Sequence, residues 1–430
     1  MPLTHLDLRG VPSAAMAGRL PAPSVDRLFP SAEVAAILEQ VRTGGDDALA
    51  SLTAKFDGVT PPALRVTGDE LSAALAAVPH SLRSALELAY DRILAYHEHT
   101  AAPEPAPLTS GGVTVTHLLR PVQRAGMYAP GGRARYPSTV LMCSAPARVA
   151  GVEELVLCVP PGPSGSIDVA SLAAAAIAGI DEVYCVGGAQ AIAAMAFGTE
   201  TIRPVDVIVG PGNSYVAEAK RQVSGVVGVP SAFTGPSEVV VVVDDRTPAE
   251  WAAVDLAVQA EHGPDGMAWL LTWSAATLQA VERALDDIVA ASPRRTELEA
   301  TLASGGVAVL VDGPSEAVAV ANVVAPEHLE LLFDGAEALL PLVRRAGAVF
   351  LGPYAPASVG DYVAGPNHVL PTARTARFAS ALSVEDFRTK VHAVTVDRDA
   401  LAALAPAVTA IAEAEGLCAH ADSVRRRVEG

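Results

Sequence analysis

Two features of the sequence predict an α/β fold made of two parallel sheets side by side: short apolar runs, and alanine-rich stretches of helical periodicity between them. In a first series, apolar runs at 155–159, 183–186 and 205–209 alternate with helical stretches at 168–177 and 191–197. A second series repeats this order, with apolar runs at 239–243, 269–272, 307–311 and 347–351 and helical stretches at 249–262 and 275–291. Strands that alternate with helices in this way are typical of parallel sheets with crossover helices.

The regions outside these two series are predicted to be helical. One amphipathic stretch runs from Ser31 to Gly45 and a second from Gly68 to Tyr96, after which the proline-rich segment 103–107 closes the region. The tail from 400 to 427 also has a helical pattern and ends in three arginines, which suit the negative end of a helix dipole.

Length and composition limit the class of protein. Because a single hydrophobic core stops growing at about 250 to 300 residues, a chain of 430 residues is expected to form two or three domains. No uninterrupted apolar run approaches the roughly 20 residues that a membrane span needs. The first residues carry neither the basic nor the apolar region of a secretory signal. We therefore expect a cytoplasmic protein with no membrane partner.

Charge and cysteine usage argue against further classes. The net charge is −18 and only three lysines occur, without a basic block, so nucleic acid is not an expected partner. The four cysteines are widely spaced and form no CxxC pair. This spacing argues against both a disulfide framework and a thiolate zinc site.

The segment from Gln259 to Pro264 is the densest candidate for a metal site. Gln259 and His262 are three residues apart on one predicted helical face, so an oxygen and a nitrogen ligand can point together at a metal. The spacing alone is a weak signal, because a histidine near a helix C-terminus also interacts favourably with the helix dipole.

Glu327 and His328 are adjacent titratable residues. They follow Pro326, which suits the first turn of a helix, so we expect them at a helix N-terminus. A carboxylate beside an imidazole offers two bases for two proton transfers. A solvated helix start is the alternative interpretation.

Two more segments place polar groups around glycines. The loop 360–368 contains Asp361, a potential metal ligand, and His368, and it follows a predicted strand, where catalytic groups are often found. In the tail, Glu415 and His420 are five residues apart around a glycine, which an ordinary helix break also explains.

A glycine turn stands where a dinucleotide fingerprint is expected. The pattern GxGxxG is missing, and the turn 210–213, which ends in Asn213, lies between an apolar strand and the helix that contains Lys220. Helix N-termini after such turns attract phosphate. The turn 235–238 places the Ser237 hydroxyl where it could hold a polar ligand, but turn geometry explains it equally well.

Together and in this order, these segments make the chain resemble the histidinol dehydrogenase family from about Val41 to the end. The set is far more specific than any one motif. The segments that carry the resemblance are 45–49, 126–132, 136–138, 186–193, 210–215, 235–238, 259–265, 325–329, 360–371 and 415–420.

The resemblance implies two Rossmann-like domains, with small N- and C-terminal helical segments used in dimerisation. Residues 23–125 and 239–383 would form a zinc and catalytic domain, and residues 126–238 an NAD-binding domain. The terminal segments 1–22 and 384–430 would lie at the interface of a homodimer.

The resemblance also implies the residues of the site. One Zn²⁺ ion would be bound by Gln259, His262, Asp361 and His420, with His420 donated by the partner subunit, so each active site would be shared across the dimer. NAD would contact Tyr128, Gln190 and Asn213. The substrate would be held by the zinc ligands together with Ser237, His328, His368 and Glu415.

The implied reaction is the oxidation of L-histidinol through L-histidinaldehyde to L-histidine with two NAD, the last step of histidine biosynthesis. Zinc would anchor the imidazole and amino nitrogens of the substrate and fix the alcohol carbon against the nicotinamide. His328 would remove the alcohol proton as the first hydride leaves. Glu327 would then activate water, so that the hydrated aldehyde loses a second hydride.

The chain departs from the family pattern near the site. Residues 229–234 replace a short acidic segment, Pro356-Ala357 stands where Pro-Glu is common, and Ala373-Arg374 stands where glycine is usual. Three other functions stay open: a zinc and NAD dehydrogenase of another polar alcohol such as a sulfonated diol, a zinc hydrolase in which Glu327 activates water, and a catalytically silent binding protein. Formation of NADH on addition of substrate separates the dehydrogenases from the others.

Overall fold

The structure is a computed structural model that describes residues 3–21, 30–131, 135–180, 182–230, 237–261, 263 and 266–429. Its strands, in chain order, are β1 Thr4–Asp7, β2 Arg65–Val66, β3 Leu108–Ser110, β4 Val113–Pro121, β5 Arg124–Tyr128, β6 Glu154–Val159, β7 Glu182–Cys185, β8 Val207–Val209, β9 Glu238–Val243, β10 Met267–Thr272, β11 Gly306–Leu310, β12 His328–Leu332, β13 Ala348–Leu351 and β14 Arg388–Val396.

The α-helices are α1 Ser13–Met16, α2 Ser31–Asp57, α3 Gly68–Ala77, α4 His80–Thr100, α5 Pro137–Ala150, α6 Val169–Ile177, α7 Gly188–Phe197, α8 Ser214–Val223, α9 Ala249–Ala260, α10 Ala275–Ala291, α11 Arg295–Gly305, α12 Pro314–Val324, α13 Ala357–Tyr362, α14 Arg398–Ala414 and α15 Cys418–Glu429. Short 3-10 helices lie at Ala336–Leu342, Thr375–Arg377 and Val384–Phe387.

Within the described residues the strands form three sheets. The largest is six-stranded in the order β1-β11-β10-β9-β12-β13, and all of its pairs are parallel. The second is five-stranded in the order β2-β7-β6-β5-β8, with β2 antiparallel at one edge. The third is an antiparallel sheet of β14, β4 and β3.

The predicted α/β fold with two parallel sheets is confirmed. Central strands such as β9 are apolar on both faces and fully buried, because helices cover both sides of a parallel sheet. The helix predicted at 275–291 has those bounds in the structure, and the ends of the predicted strands differ by at most two residues.

Two helix predictions needed correction at glycine or proline, whereas a third is confirmed. Gly45 has a non-helical backbone with φ of 53° and kinks α2 where the predicted helix ends, and a side chain there would clash with the Glu200 carboxylate. Pro79 divides the stretch predicted from Gly68 to Tyr96 into α3 and α4, because proline cannot continue a helix. Gly416, with φ of 73°, separates α14 from α15 in the tail.

The first hundred residues divide between the two parallel sheets. Strand β1 pairs with β11 at the edge of the six-stranded sheet, and α1 is the helical part of the described residues 3–21. Helices α2, α3 and α4 pack on α7, α6 and α5, which flank the five-stranded sheet, rather than on the six-stranded sheet of residues 239–383. Their apolar faces are buried in the two clusters around the five-stranded sheet.

Cysteine and hydropathy predictions can be compared with the structure. Cys143, Cys158 and Cys185 are buried and Cys418 is exposed, and all four thiols are free. None of the helices in the described part of the chain combines the length and apolar character that a membrane span requires.

A buried arginine joins the amino ends of three neighbouring strands of the five-stranded sheet. Arg124 begins β5 and is 5% exposed. Its Nη1 donates to Glu154 Oε2 at 2.6 Å and its Nη2 to Glu182 Oε2 at 2.6 Å, where Glu154 and Glu182 begin β6 and β7. Arg203, whose side chain is 64% exposed, also contacts Glu154 at 2.6 Å.

We expect Arg124→Met to lower the free energy of unfolding by about 1.5–3 kcal/mol, because it removes the charge-assisted hydrogen bonds of a buried guanidinium to the half-buried carboxylates of Glu154 and Glu182. The matched control is Arg203→Met, which removes an exposed partner of the same two glutamates and should cost less than about 1 kcal/mol. Denaturant unfolding of both variants checks this, and equal losses would contradict it.

The stability difference should also depend on pH. Hydrogen bonds from Arg124 lower the pKa of Glu182 to about 2. Because this is below the pKa of about 4.3 in an unfolded chain, the stabilisation is complete above that pH and is lost as the pH falls from about 4.3 towards 2. The gap between wild type and Arg124→Met should therefore be larger at pH 7 than at about pH 3.

Candidate active site

The candidate catalytic residues lie at the amino ends of β9, β12 and β13. His328 begins β12 and is paired in register with Val239 of β9 and Ala348 of β13. Helix α9 connects the parallel strands β9 and β10, so its C-terminal end, which carries Gln259, returns to the same edge of the sheet. This corrects the expectation of a site beyond the carboxyl end of a strand. Asp361 follows β13 in sequence, but its side chain contacts His328 at the amino end of β12.

Glu327 and His328 do not begin a helix. Helix α12 ends at Val324, Ala325 adopts a left-handed conformation with φ of 53°, and β12 begins at His328. The helix predicted after Pro326 was wrong because residues His328 to Leu332 form a fully buried strand inside the sheet. The local sequence pattern contains no information about the neighbouring strands. His328 is 3% exposed and Glu327 8% exposed, so the solvated interpretation is also excluded.

The backbone of Glu238 orients both side chains. The Glu238 N–H donates to Glu327 Oε2 at 3.0 Å, and the Glu238 carbonyl lies 3.2 Å from His328 Nδ1. Glu327 Oε2 is itself 3.5 Å from His328 Nδ1. Because Nδ1 faces two acceptors, it carries a ring hydrogen, and Nε2 is the atom at which the ring gains or loses its second proton.

His328 Nε2 faces Asp361 Oδ1 at 3.2 Å. A neutral imidazole with its hydrogen on Nδ1 would place two acceptors against each other here, so the contact requires a proton or a cation. Burial favours the neutral ring, but the negative charges of Glu327 and Asp361 outweigh it and raise the pKa of His328 well above its ordinary value. This edge of the sheet therefore favours positive charge.

His368 has a defined orientation next to Asp361. Its Nδ1 donates to the Asp361 carbonyl at 2.8 Å, which leaves Nε2 to accept from the Thr139 hydroxyl at 3.3 Å. Burial lowers the pKa of His368, so the ring is held neutral. Thr139 belongs to α5, which follows β5, and the contact brings the two parallel sheets together at the site.

Gln259 has the features of a metal ligand. It is 2% exposed in the last turn of α9, and its Nε2 is buried without a hydrogen-bond partner in the described part of the chain. Turning the amide exchanges its nitrogen and oxygen, so an oxygen ligand can occupy this position. His262, the predicted neighbour of Gln259, lies outside the described residues.

The donor types fit zinc, although the described residues of one chain do not assemble into a complete site. An amide oxygen at Gln259 and a carboxylate at Asp361 suit a borderline divalent ion, as does an imidazole. Among the described residues, no group of three or more His, Cys, Asp or Glu is arranged to hold a metal ion.

The tail residues Glu415 and His420 are not part of this cluster in a single chain. Both are exposed, and their backbone N–H groups bond within the α14–α15 hairpin, to Ile411 and Leu417.

Ser237 lies immediately before β9, next to the Glu238 backbone that orients the two bases. Its carbonyl accepts from the Met267 N–H at 3.0 Å. The preceding residues 231–236, which contain most of the altered loop 229–234 and the Gly235-Pro236 turn, are outside the described residues.

The residues predicted to contact NAD lie at the carboxyl edge of the five-stranded sheet. Tyr128 ends β5, and its buried hydroxyl accepts from the Gly188 N–H at 3.1 Å. Gln190 is 1% exposed in α7, which follows β7. Asn213 follows β8 and caps α8, with Oδ1 accepting from Tyr215 and Val216 N–H at 3.1 Å. These positions suit a nucleotide at the carboxyl ends of parallel strands.

Sequence reasoning missed several residues of the site. Phe350 on β13 stacks on the His328 ring with centroids 6.0 Å apart, and Thr139 orients His368. A cavity of about 580 Å³ opens beside Asp361 and His368, between α4 and the loop that follows α13. No local pattern marks these residues, since each meets the site through the packing of distant segments. Glu330 is different, because a glutamate within an apolar strand could have been noticed.

Comparisons with known proteins identify the family of the chain. The family model described as histidinol dehydrogenase matches residues 24–428. Histidinol dehydrogenase of Parasynechococcus marenigrum is 47% identical over 392 residues, which cover 91% of this chain and 90% of that protein. The protein of that name from Rhodospirillum rubrum is 48% identical over 398 residues, 92% and 91% of the two chains.

A solved structure agrees as well. The crystal structure of histidinol dehydrogenase from Elizabethkingia anophelis superposes with a TM-score of 0.92 at 35% identity, and the match covers 99% of this chain and 98% of that one. The chain therefore belongs to the histidinol dehydrogenase family.

Proposed function

We propose that this chain oxidises L-histidinol through L-histidinaldehyde to L-histidine with two NAD, as the last step of histidine biosynthesis. The observation that carries the proposal is the buried Glu327–His328–Asp361 cluster, in which two bases of different kinds share one edge of a sheet. Oxidation of an alcohol to an acid removes two hydrides, and each oxidation also releases a proton that a base must accept.

His328 is the base of the first oxidation. Its Nδ1 hydrogen is directed at the Glu238 carbonyl, so Nε2 is the atom that accepts the proton of the substrate hydroxyl. Stacking on Phe350 and burial in β12 restrict the ring to one orientation. Such restriction favours proton transfer, because little reorganisation is needed.

Glu327 is the base of the second oxidation. The aldehyde must gain water before a second hydride can leave, and the Glu327 carboxylate accepts the proton of that water. The Glu238 N–H donates to one of its oxygens at 3.0 Å and fixes the carboxylate beside the histidine. Exclusion of bulk water by this buried edge protects the aldehyde between the two steps.

The metal site would be formed by Gln259, His262 and Asp361, completed by the partner subunit's His420. Two observations support this metal site. The buried Gln259 amide nitrogen has no hydrogen-bond partner among the described residues, and the Asp361 carboxylate faces Nε2 of His328. Zinc, when bound, supplies a Lewis acid that fixes the substrate nitrogens. Ser237, His368 and the partner subunit's Glu415 would hold the substrate, with the neutral His368 directed by Asp361 and Thr139.

Tyr128, Gln190 and Asn213 would bind NAD, which accepts the hydrides. The Tyr128 hydroxyl accepts the Gly188 N–H, so its own hydrogen can be donated to the nucleotide. Asn213 uses Oδ1 for capping and leaves Nδ2 to donate. The hydrogen bond between His368 and Thr139 links the candidate catalytic residues to α5, which follows β5 of the five-stranded sheet. This link supports hydride transfer from a substrate beside His368 to NAD at that sheet.

An exposed apolar face on the tail supports a homodimer. Leu404, Val408 and Ile411 recur at helical spacing on α14 and are 37–61% exposed. Val391 and Val394 on β14 are exposed too. A surface of this kind is typical of an interface between subunits, and a second copy covering it would also bring Glu415 and His420 to the neighbouring site.

The test of the function is a substrate panel with NAD. L-histidinol should yield two NADH and one L-histidine, and a chelator should abolish the reaction until zinc is restored. Product formation without NADH would instead indicate a hydrolase, and turnover of another polar alcohol in preference to histidinol would indicate the related dehydrogenase.

We expect substitution of the two bases to separate the two steps. His328→Asn should lower kcat for histidinol by about 10²- to 10⁴-fold, whereas Glu327→Gln should affect oxidation of added L-histidinaldehyde more than the first hydride transfer. Single-turnover measurement of NADH with each substrate checks this. Glu337→Gln, at an exposed glutamate in a 3-10 helix, is the control; equal effects of Glu327→Gln on both steps would refute the assignment.

Mixed dimers test whether sites are shared between subunits. His420→Ala and Glu327→Gln should each be inactive alone, but after joint refolding one site of each mixed dimer is intact, so roughly a quarter of wild-type activity should return. Glu327→Gln mixed with His328→Asn is the control, because both residues come from the same chain and no intact site can form. Recovery in the control, or none in the first mixture, would exclude shared sites.

A further inference from the structure

Two buried carboxyl groups lie behind the candidate active site. Glu330 on β12 is 1% exposed and Asp255 on α9 is 7% exposed, and their side chains are in hydrogen-bond contact. Neither residue belongs to the proposed catalytic, metal or nucleotide groups. Around them the face of the sheet towards α9 is apolar.

The pair shares one proton. Glu330 Oε1 accepts from the Ala357 N–H at 3.0 Å, while Oε2 is buried and receives no N–H or O–H donor from the described residues. Two touching carboxylates cannot both be ionised in a buried place. Burial and the charge of Asp255 raise the pKa of Glu330 well above its ordinary value, and burial raises the pKa of Asp255. Glu330 therefore holds the proton on Oε2 and donates it to Asp255.

Each of the three groups in this contact lies one helical turn or one strand repeat from a residue of the candidate site. Asp255 precedes Gln259 by four residues on α9, and Ala357 precedes Asp361 by four on α13, so each pair shares a helix face. Glu330 and His328 are two residues apart on one face of β12. The hydrogen-bonded chain from Asp255 through Glu330 to Ala357 thus connects the three elements at matching positions.

We propose that the Asp255–Glu330 carboxyl pair is a positioning element, which holds α9, β12 and α13 together so that Gln259, His328 and Asp361 converge on one point. This inference rests on the proposed function for the roles of those three residues. A buried polar pair is often no more stabilising than well-packed apolar residues. Its hydrogen bonds are directional, unlike apolar packing, and therefore fix the position of each element along the axis of its neighbour.

Substitutions of Glu330 test the proposal. Glu330→Gln keeps an oxygen for the Ala357 N–H and an N–H for Asp255, so kcat and zinc affinity should stay within about threefold of wild type. Glu330→Leu removes both bonds and should lower kcat and zinc affinity by about 10- to 100-fold, as loss of groups that orient metal ligands does. The control is Leu331→Ala on the opposite face of β12, which should lower Tm but leave kcat unchanged below the transition.

Three measurements distinguish a positioning role from a structural one: kcat against Tm, zinc competition with a chromogenic chelator, and hydrogen exchange of a peptide covering 357–362. Exchange in that peptide should be faster in Glu330→Leu only. Wild-type values in Glu330→Leu, equal damage in Glu330→Gln, or an equal loss of kcat in Leu331→Ala would each overturn the proposal. If the wild type binds no zinc or does not oxidise histidinol, the proposed function fails, while hydrogen exchange still decides whether the pair positions α13.

Discussion

The backbone of Glu238 is the interaction on which the candidate site depends. Its N–H holds Glu327 and its carbonyl faces His328, so two side chains from the start of β12 are oriented by the start of β9. Both strands are central in a parallel sheet and fully buried. A one-residue shift of β12 in this register would turn His328 to the opposite face of the sheet and separate the two bases from the groups that orient them.

The candidate catalytic residues and the proposed NAD-binding residues lie at opposite edges of the two parallel sheets. The amino edge of the six-stranded sheet contributes the titratable residues, whereas the carboxyl edge of the five-stranded sheet contributes glycine turns and helix N-termini. Each edge suits its task, since backbone N–H groups attract phosphate and buried carboxylates favour a cation. The hydrogen bond between His368 and Thr139 connects these two edges. The buried Arg124 cluster lies at the opposite, amino edge of the five-stranded sheet.

Agreement between sequence and structure is closest where a pattern is local. The spacing of apolar runs predicted the strands within a few residues, and helix α10 entirely, because burial on both faces demands continuous apolar sequence. Pro79 and Gly416 caused the boundary errors, since each divides a stretch of continuous helical pattern into two helices, whereas Gly45 kinks α2 at the predicted position. The helix expected after Pro326 was wrong for another reason, which is that a partner strand supplies bonds that local preference does not reveal.

By itself the sequence determined the α/β class and the family, and it singled out five polar residues as candidates for chemistry by their types and neighbours: Gln259, Glu327, His328, Asp361 and His368. Only the tertiary structure decided that they gather at the amino ends of strands, and that Glu330 contacts Asp255 behind them. The physical reason is the sequence distance over which each kind of interaction acts. Periodicity and turn residues act over a few positions, whereas the meeting of α9, β12 and α13 depends on contacts between segments about 30 to 100 residues apart, which form only when the sheet assembles.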